Sequence, residues 1–265
     1  MRYSGCAAVV VGTVLLAVSS AWSQTSVIQQ SNVSSQTGVI QQNSVNVNGE
    51  GSSVTISGQS ISVETTATGG GRVVGDGEPA SEDRPIGPVT AIHSDGAFAL
   101  TLKIGPAPKL TIETDKNILP IIKTNVSNGR LDIYSDRSYS LDGRIKVTVS
   151  SPNITEISVS GSNQIEGEGL AGGPLTISLN GSNRAALSGK VETLTCVMSG
   201  ANHLAAQQLT AASTNVTLNG SGDAAVHASE RIVAEISGAG SIAVYGNPNS
   251  RSTRVNGAGK ITFVD

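Results

Sequence analysis

The chain has 265 residues, of which 31 are Gly, 14% are charged and 3% are aromatic. Glycine without a three-residue period excludes collagen, and charge this sparse excludes a coiled coil or a highly charged disordered chain. Seventeen basic against twenty acidic residues, a net charge of −3, argue against a nucleic-acid partner.

Residues 1–23 read as a secretory signal. Arg2 supplies the positive start, Cys6 to Val18 is an apolar stretch with one Thr, and Ala21-Trp22-Ser23 offers a small-x-small cleavage site before Gln24. As a helix that stretch would rise only about 20 Å, short of a roughly 30 Å hydrocarbon core. The mature chain is therefore expected to carry no transmembrane segment and to be exported to the periplasm, the outer surface or the medium of a bacterium. It would keep one thiol, Cys196.

Residues 24–65 are a Gln/Ser/Asn-rich repeat segment. Thr25-Ser-Val-Ile-Gln-Gln-Ser-Asn-Val33 recurs as Thr37-Gly-Val-Ile-Gln-Gln-Asn-Ser-Val45. Such composition fits a poorly ordered tail, a β-prone adhesive segment or extra β coils. Residues 66–88, with three consecutive Gly and then Pro79, Pro85 and Pro88, read as a Gly/Pro-rich linker.

From residue 89 to 150 the pattern alternates as in strands. The runs are Ala97–Ile104, Lys109–Thr114, Arg130–Tyr134 and Arg144–Val149. Turn signals at Gly105-Pro106, Asn128-Gly129 and Asp142-Gly143 separate them. Asp115–Ile122 is expected to hold a short helical turn that Pro120 interrupts.

Beyond residue 157 one motif, [Ser/Asn]-Gly-[Ser/Ala]-[Asn/Gly], recurs around Gly161, Gly181, Gly200, Gly220, Gly238 and Gly257, at spacings of 18–20 residues. Glycine, and Asn at the fourth place, suit left-handed backbone, so the motif predicts a corner repeated in register. Counting from each glycine as zero, positions −4, −2, +4 and +6 hold 22 apolar residues in 24 places, where the chain average of 38% would give about nine. Each repeat is thus two short strands joined at a corner, and it can bury its dry face only by stacking on its neighbours. The expected fold is all-β, a parallel β-helix or β-solenoid with coils of about 18–20 residues. A β-propeller needs blades of about 40 residues. Cys196 falls in the inward −4 column between Ile177 and Val216, which assigns it to core packing. The −1 column (Ser160, Asn180, Ser199, Asn219, Ser237 and Asn256) reads as corner hydrogen bonding and an inter-coil ladder.

Chemistry is sparse in this pattern. Gln164, Arg184, His203, Asp223, Ser241 and Lys260 form an outward polar stripe at +3. Arg184, His203 and Asp223 are its surface candidates, and a His203–Asp223 dyad on adjacent coils is conceivable beside the plainer reading of a solvated pair. Glu166 and Glu168 lie in one coil without a facing carboxylate, so the pair that glycoside hydrolysis needs does not form. No metal-type Cys/His spacing, phosphate loop or nucleophile elbow occurs. The sequence assigns no catalytic residue, cofactor or metal, and the chain is read as a non-enzyme.

The stretches FALTLKIG, LTIETDKNILPIIKTNVSNGRLDIYS, IKVTVSSPNITEISVSGSNQI and ISGAGSIAVYGNPNSRSTRVNGAGKI, with the ordered series of corners, resemble the bacterial auto-transporter adhesin head domain, or head GIN domain, over about residues 89–265. The resemblance implies an extracytoplasmic β-helix-like domain and brings no catalytic residues. It leads to an exported, non-enzymatic envelope or surface protein. Such a protein is expected to bind an envelope glycan or protein along a solenoid face, as a monomer or a homo-oligomer. The alternatives are a polysaccharide-active β-helix enzyme, using His203, Asp223, Glu166 and Glu168, and a fibre or matrix component driven by residues 24–65.

Overall fold

The computed structural model describes residues 72–264 and, before them, only Val14–Val18 and Ser26–Gln30. The chain divides into two compact units, Met1–Gly71 and Arg72–Asp265. In the first, β1 (Val14–Val18) pairs antiparallel with β2 (Ser26–Gln30), across the cleavage point expected after Ser23. The remainder of the expected signal and of the 24–65 repeat segment lies outside the described residues.

The second unit carries, in chain order, β3 (Val73–Val74), β4 (Pro79–Arg84), β5 (Ala91–Gly96), β6 (Phe98–Ile104), β7 (Lys109–Asp115), β8 (Ile122–Ser127), β9 (Arg130–Ser135), β10 (Tyr139–Ser140) and β11 (Ile145–Ser151). The stacked strands follow: β12 (Glu156–Gly161), β13 (Gln164–Gly181), β14 (Arg184–Gly200), β15 (His203–Gly220), β16 (Asp223–His227), β17 (Arg231–Gly238), β18 (Ser241–Tyr245), β19 (Ser250–Gly257) and β20 (Lys260–Val264), of which those ending at a corner glycine return the chain to it. From β12 onward every pairing is parallel, each coil lying on the one before it, as a right- or left-wound solenoid requires.

Register follows the six corners. Gly161 pairs with Gly181, Gly181 with Gly200, Gly200 with Gly220, Gly220 with Gly238 and Gly238 with Gly257. All six have positive φ, between 102° and 137°. A Cβ on any of them would collide with the carbonyl oxygen of the corner glycine one coil earlier. A seventh member starts the column: Gly96 pairs with Gly161 and has φ 144°. The motif reads Asp95-Gly96-Ala97-Phe98 there, 65 residues ahead of Gly161, so the 18–20 spacing did not reveal it.

The fourth motif place behaves differently from the expectation. Asn163, Asn183 and Asn202 are not left-handed; they are buried, and their side chains build the inter-coil ladder. Asn163 Nδ2 donates to Asn183 Oδ1 at 3.0 Å, and Asn183 Nδ2 to Asn202 Oδ1 at 2.9 Å. The backbone N–H groups of Asn163 and Asn183 donate to the same oxygens. Each amide also donates to the carbonyl three residues earlier, those of Ser160, Asn180 and Ser199. The −1 residues therefore enter the ladder through their carbonyls. In the last three coils Gly222, Gly240 and Gly259 take the Asn place, because the backbone one coil earlier leaves no room for a Cβ at Gly222 or Gly240.

The inward columns fill as the pattern predicts. Ile157, Ile177, Cys196, Val216 and Ala234 are buried at −4, and Val159, Leu179, Met198, Leu218 and Ile236 at −2. A further inward column, Leu175, Leu194, Thr214 and Ile232 at −6, completes the return strands. Burying each such aliphatic side chain contributes about 1.5–3 kcal/mol. Thr214 satisfies its hydroxyl by donating to the His227 carbonyl at 2.8 Å. In the last coil the columns open: Thr253 and Val255 are exposed and Ile261 and Phe263 half-buried.

The opposite end is closed by a change of strand direction. The β5–β6 coil stacks on β12 and on the first part of β13. Beyond it lie β9, parallel to β5, and β11, parallel to β6. Then β8 and β7 pair antiparallel to β9 and β11, and β4 pairs antiparallel to β7. Ile118, Ile121 and Ile122 bury under this cap, around a single 3₁₀ turn at Leu119–Ile121 that accommodates Pro120 inside it. Arg84 fixes the turn, donating to the carbonyls of Ile122 at 2.7 Å and Leu119 at 3.2 Å and pairing with Glu82 at 3.0 Å. Both β3 and β4 fall within residues 66–88, the span read as a linker. Pro79 is tolerated because it begins an edge strand, where a missing N–H breaks no ladder.

Three substitutions and a labelling experiment test this architecture. Gly200→Ala should cost about 1–3 kcal/mol from its left-handed dihedral alone, with the carbonyl collision added. Gly173→Ala, with open space at its Cβ, should stay within about 0.5 kcal/mol of the parent. Asn183→Ala removes the acceptor of two buried donors on Asn163 and should cost about 1–3 kcal/mol. Urea unfolding reads all three, and a Gly200→Ala chain as stable as the parent would contradict the stacking constraint. Burial pushes the Cys196 thiol up to about 12, so the thiolate is scarce at neutral pH. In a Cys6→Ser chain a thiol reagent should label Cys196 only after denaturant is added; prompt labelling of the native chain would place that residue outside the core.

Candidate functional site

A solenoid wall exposes alternate residues of every strand, so its outer surface is a set of columns in register. On the wall formed by β5 and the return strands, one column runs Asp132, His93, Ser158, Ser178, Val197, Thr217, Glu235, Arg254, the last two an ion pair at 3.8 Å. The next runs Tyr134, Asp95, Ser160, Asn180, Ser199, Asn219. From Ser158 to Thr217 and from Ser160 to Asn219 these side chains are short, and all but Val197 are neutral and polar. They recur at the strand spacing of about 4.8 Å in one direction and about 7 Å in the other. The result is a flat field of hydroxyl and amide groups.

The field ends in a concavity of about 320 Å³ lined by His93, Asp95, Asn125, Asp132, Ile133 and Tyr134. Three strands from separate parts of the chain make it. On β5, His93 and Asp95 face Asp132 and Tyr134 of β9, and Asn125 of β8 faces Asp132 from the other side. Asp132 is held by Arg130, whose Nε lies 3.0 Å from Oδ1. Tyr134 is 43% exposed, a large apolar surface beside two carboxylates, an amide and an imidazole. That is the chemistry that recognises a polyhydroxylated ligand: planar acceptors and donors for hydroxyls, and an aromatic face for C–H groups.

A larger cleft of about 500 Å³, lined by Glu82, Arg84, Leu119, Pro120, Ile122, Lys123 and Thr124, lies at the capped end. Its Arg84 is committed to the Ile122 and Leu119 carbonyls, to Thr124 Oγ1 and to Glu82. Its chief cation is thus part of the fold, and we take the smaller concavity as the candidate site.

The three surface candidates from the sequence lie on the other wall. Arg184 pairs with His203, and His203 with Asp223, all exposed. Asp223 Oδ1 accepts a hydrogen bond from Ser241 Oγ at 2.6 Å, so the carboxylate is turned to the following coil rather than to His203. Glu166 and Glu168 are exposed in one strand, and Gln164 Nε2 donates to Glu166 Oε1 at 3.3 Å. Among the described residues no group of three or more His, Cys, Asp or Glu converges as a metal site would require, and no helix is long and apolar enough to cross a membrane.

None of His93, Asp95, Asn125, Asp132 or Tyr134 was legible as a site. Their adjacency comes from β8 and β9 being laid beyond β5 by the cap, which no spacing in the chain encodes. The one usable signal was Asp95-Gly96, a corner with Asp in the Ser/Asn place.

The family described as "Putative auto-transporter adhesin, head GIN domain" matches residues 88–248, well over half of the chain. No curated protein matches. Among solved structures, a "putative adhesin" from Bacteroides fragilis has 20% identity and a TM-score of 0.57, over 72% of this chain and all of that one. A "putative lipid binding protein" from Parabacteroides distasonis has 20% identity and a TM-score of 0.45, over 74% of this chain and all of that one. A "putative adhesin" from Parabacteroides merdae has 17% identity and a TM-score of 0.41, over 73% of this chain and 99% of that one. The first supports the solenoid fold, and the family match identifies the chain, which belongs to the head GIN domain family.

Proposed function

We propose that the chain is an exported, non-enzymatic binding module of the bacterial envelope, and that it binds polysaccharide. The Ser/Thr/Asn field carries repeated contacts, and the His93–Asp95–Asp132–Tyr134 concavity supplies selectivity. The observation that carries this reading is their continuity: two columns that are mostly short and neutral from β12 to β15 run on without a break into the charged and aromatic side chains of the concavity. A chain of sugar units can follow such columns and seat one unit against Tyr134. The adhesin description of the family is consistent with a binding role. Arg2 with the Cys6–Val18 stretch supports export.

Binding to purified envelope polysaccharides tests the reading. Tyr134→Ala should weaken binding about ten-fold, the equivalent of about 1.4 kcal/mol for a lost stacking face, and Asp132→Asn should weaken it without unfolding the chain. Lys103→Ala, on the other wall, should leave it unchanged. No binding to any envelope polysaccharide, or equal binding by parent and Tyr134→Ala, would overturn the assignment of the site. Fractionation with N-terminal sequencing should find the chain outside the cytoplasm and beginning at Gln24; wholly cytoplasmic, unprocessed chain would overturn export.

A further inference from the structure

The two ends of the solenoid differ. One is closed by antiparallel strands, while among the described residues β19 and β20 end the stack with nothing paired on their outer edges. Every residue of β19 is exposed, including Val255 in a column that is buried in every earlier coil. Such an edge offers unpaired N–H and C=O groups and half-covered apolar side chains to another strand.

The corner restricts what can be added. A coil laid on Gly257 needs Gly at its own corner, since each corner Cβ would strike the preceding glycine carbonyl. It also favours Gly two residues later, as at Gly222 and Gly240. Apolar residues are needed at −2 and −4. Outside the six corners, [Ser/Asn]-Gly-x-[Asn/Gly] occurs once in the chain, at Asn48-Gly49-Glu50-Gly51, and Val47 and Val45 stand at −2 and −4. The last coil itself reads Thr253-Arg-Val255-Asn256-Gly257-Ala258-Gly259. Charge agrees: the open coil carries Arg251, Arg254 and Lys260, whereas residues 24–71 contain Glu50 and Glu64 and no Lys or Arg.

We propose that Val45–Gly51 of a second copy of the chain docks on the open coil as a further parallel strand and corner. Val47 would cover Val255, and Gly49 would sit on Gly257. Each chain then gives a segment and accepts one, so the contact joins two different surfaces, a segment and an open coil. This is independent of the polysaccharide reading.

Mixed disulfide trapping tests it, using full chains in a Cys6→Ser background with one partner tagged to a distinct mass. Asn48→Cys mixed with Asn256→Cys should give a disulfide-linked heterodimer, because facing Cα atoms about 4.8 Å apart can be bridged. Asn48→Cys mixed with Asn180→Cys, exposed in the same column but inside the stack, should give at least ten-fold less. Adding Gly49→Val to the Asn48→Cys chain should reduce the Asn256→Cys product to that control level, while its urea unfolding midpoint, measured alongside, stays that of the parent. Equal yields with Asn256→Cys and Asn180→Cys, or a yield insensitive to Gly49→Val, would overturn the proposal. Polysaccharide binding is read separately, so either idea can fail alone.

Discussion

The stacked corner governs this molecule. The glycine carbonyl of each corner accepts the N–H of the residue after the next corner, from Ser162 to Gly96 at 2.9 Å through Ala239 to Gly220 at 3.0 Å. The same oxygen is the wall that a Cβ on the next glycine would strike. Attraction and exclusion therefore act at one atom, and together they pin each coil against the last. A slip of one residue would turn every inward Ile, Leu and Val outward, so the corner that sets the register also sets which side chains form the outer columns.

Beside that column runs a polar one inside an apolar core. A buried amide is tolerated only when its donors and acceptor are all used. Asn163 meets the condition through Asn183, Ser160 and the Phe98 N–H, which donates to its Oδ1 at 3.1 Å. The ladder begins where Phe98 takes the Asn place and ends where Gly222 does. Once the series stops, a lone Asn would lose its neighbour's amide, and the tighter backbone at Gly222 and Gly240 leaves no space for one.

Periodic information was the readable kind. The six corners, the −4, −2, +4 and +6 columns and the placement of Cys196 follow from residue spacing, because each coil repeats one solution of the same packing problem. Two errors have one cause. Asn163 and its counterparts were read from local propensity for left-handed backbone, yet a stacked neighbour gave the side chain a better partner. Pro and Gly content assigns residues 66–88 to a linker, yet the short strands β3 and β4 lie within that span and Pro79 marks where an edge strand starts. The β5–β6 coil and its Gly96 were missed because the chain leaves the stack to build the cap and returns 65 residues later.

That detour is also what gives the surface a place to be selective. Identical coils generate identical steps, so a regular wall is flat and can offer only repeated, weak contacts. A concavity needs a break in the repetition. The break is at the cap, where antiparallel β8 brings Asn125 against Asp132, and β9 puts Tyr134 beside Asp95. At the concavity carboxylates, an imidazole, an amide and an aromatic ring meet at the point where the one-dimensional rule of the solenoid lapses. A ligand with its own repeat can then gain affinity along the wall and be discriminated at its end.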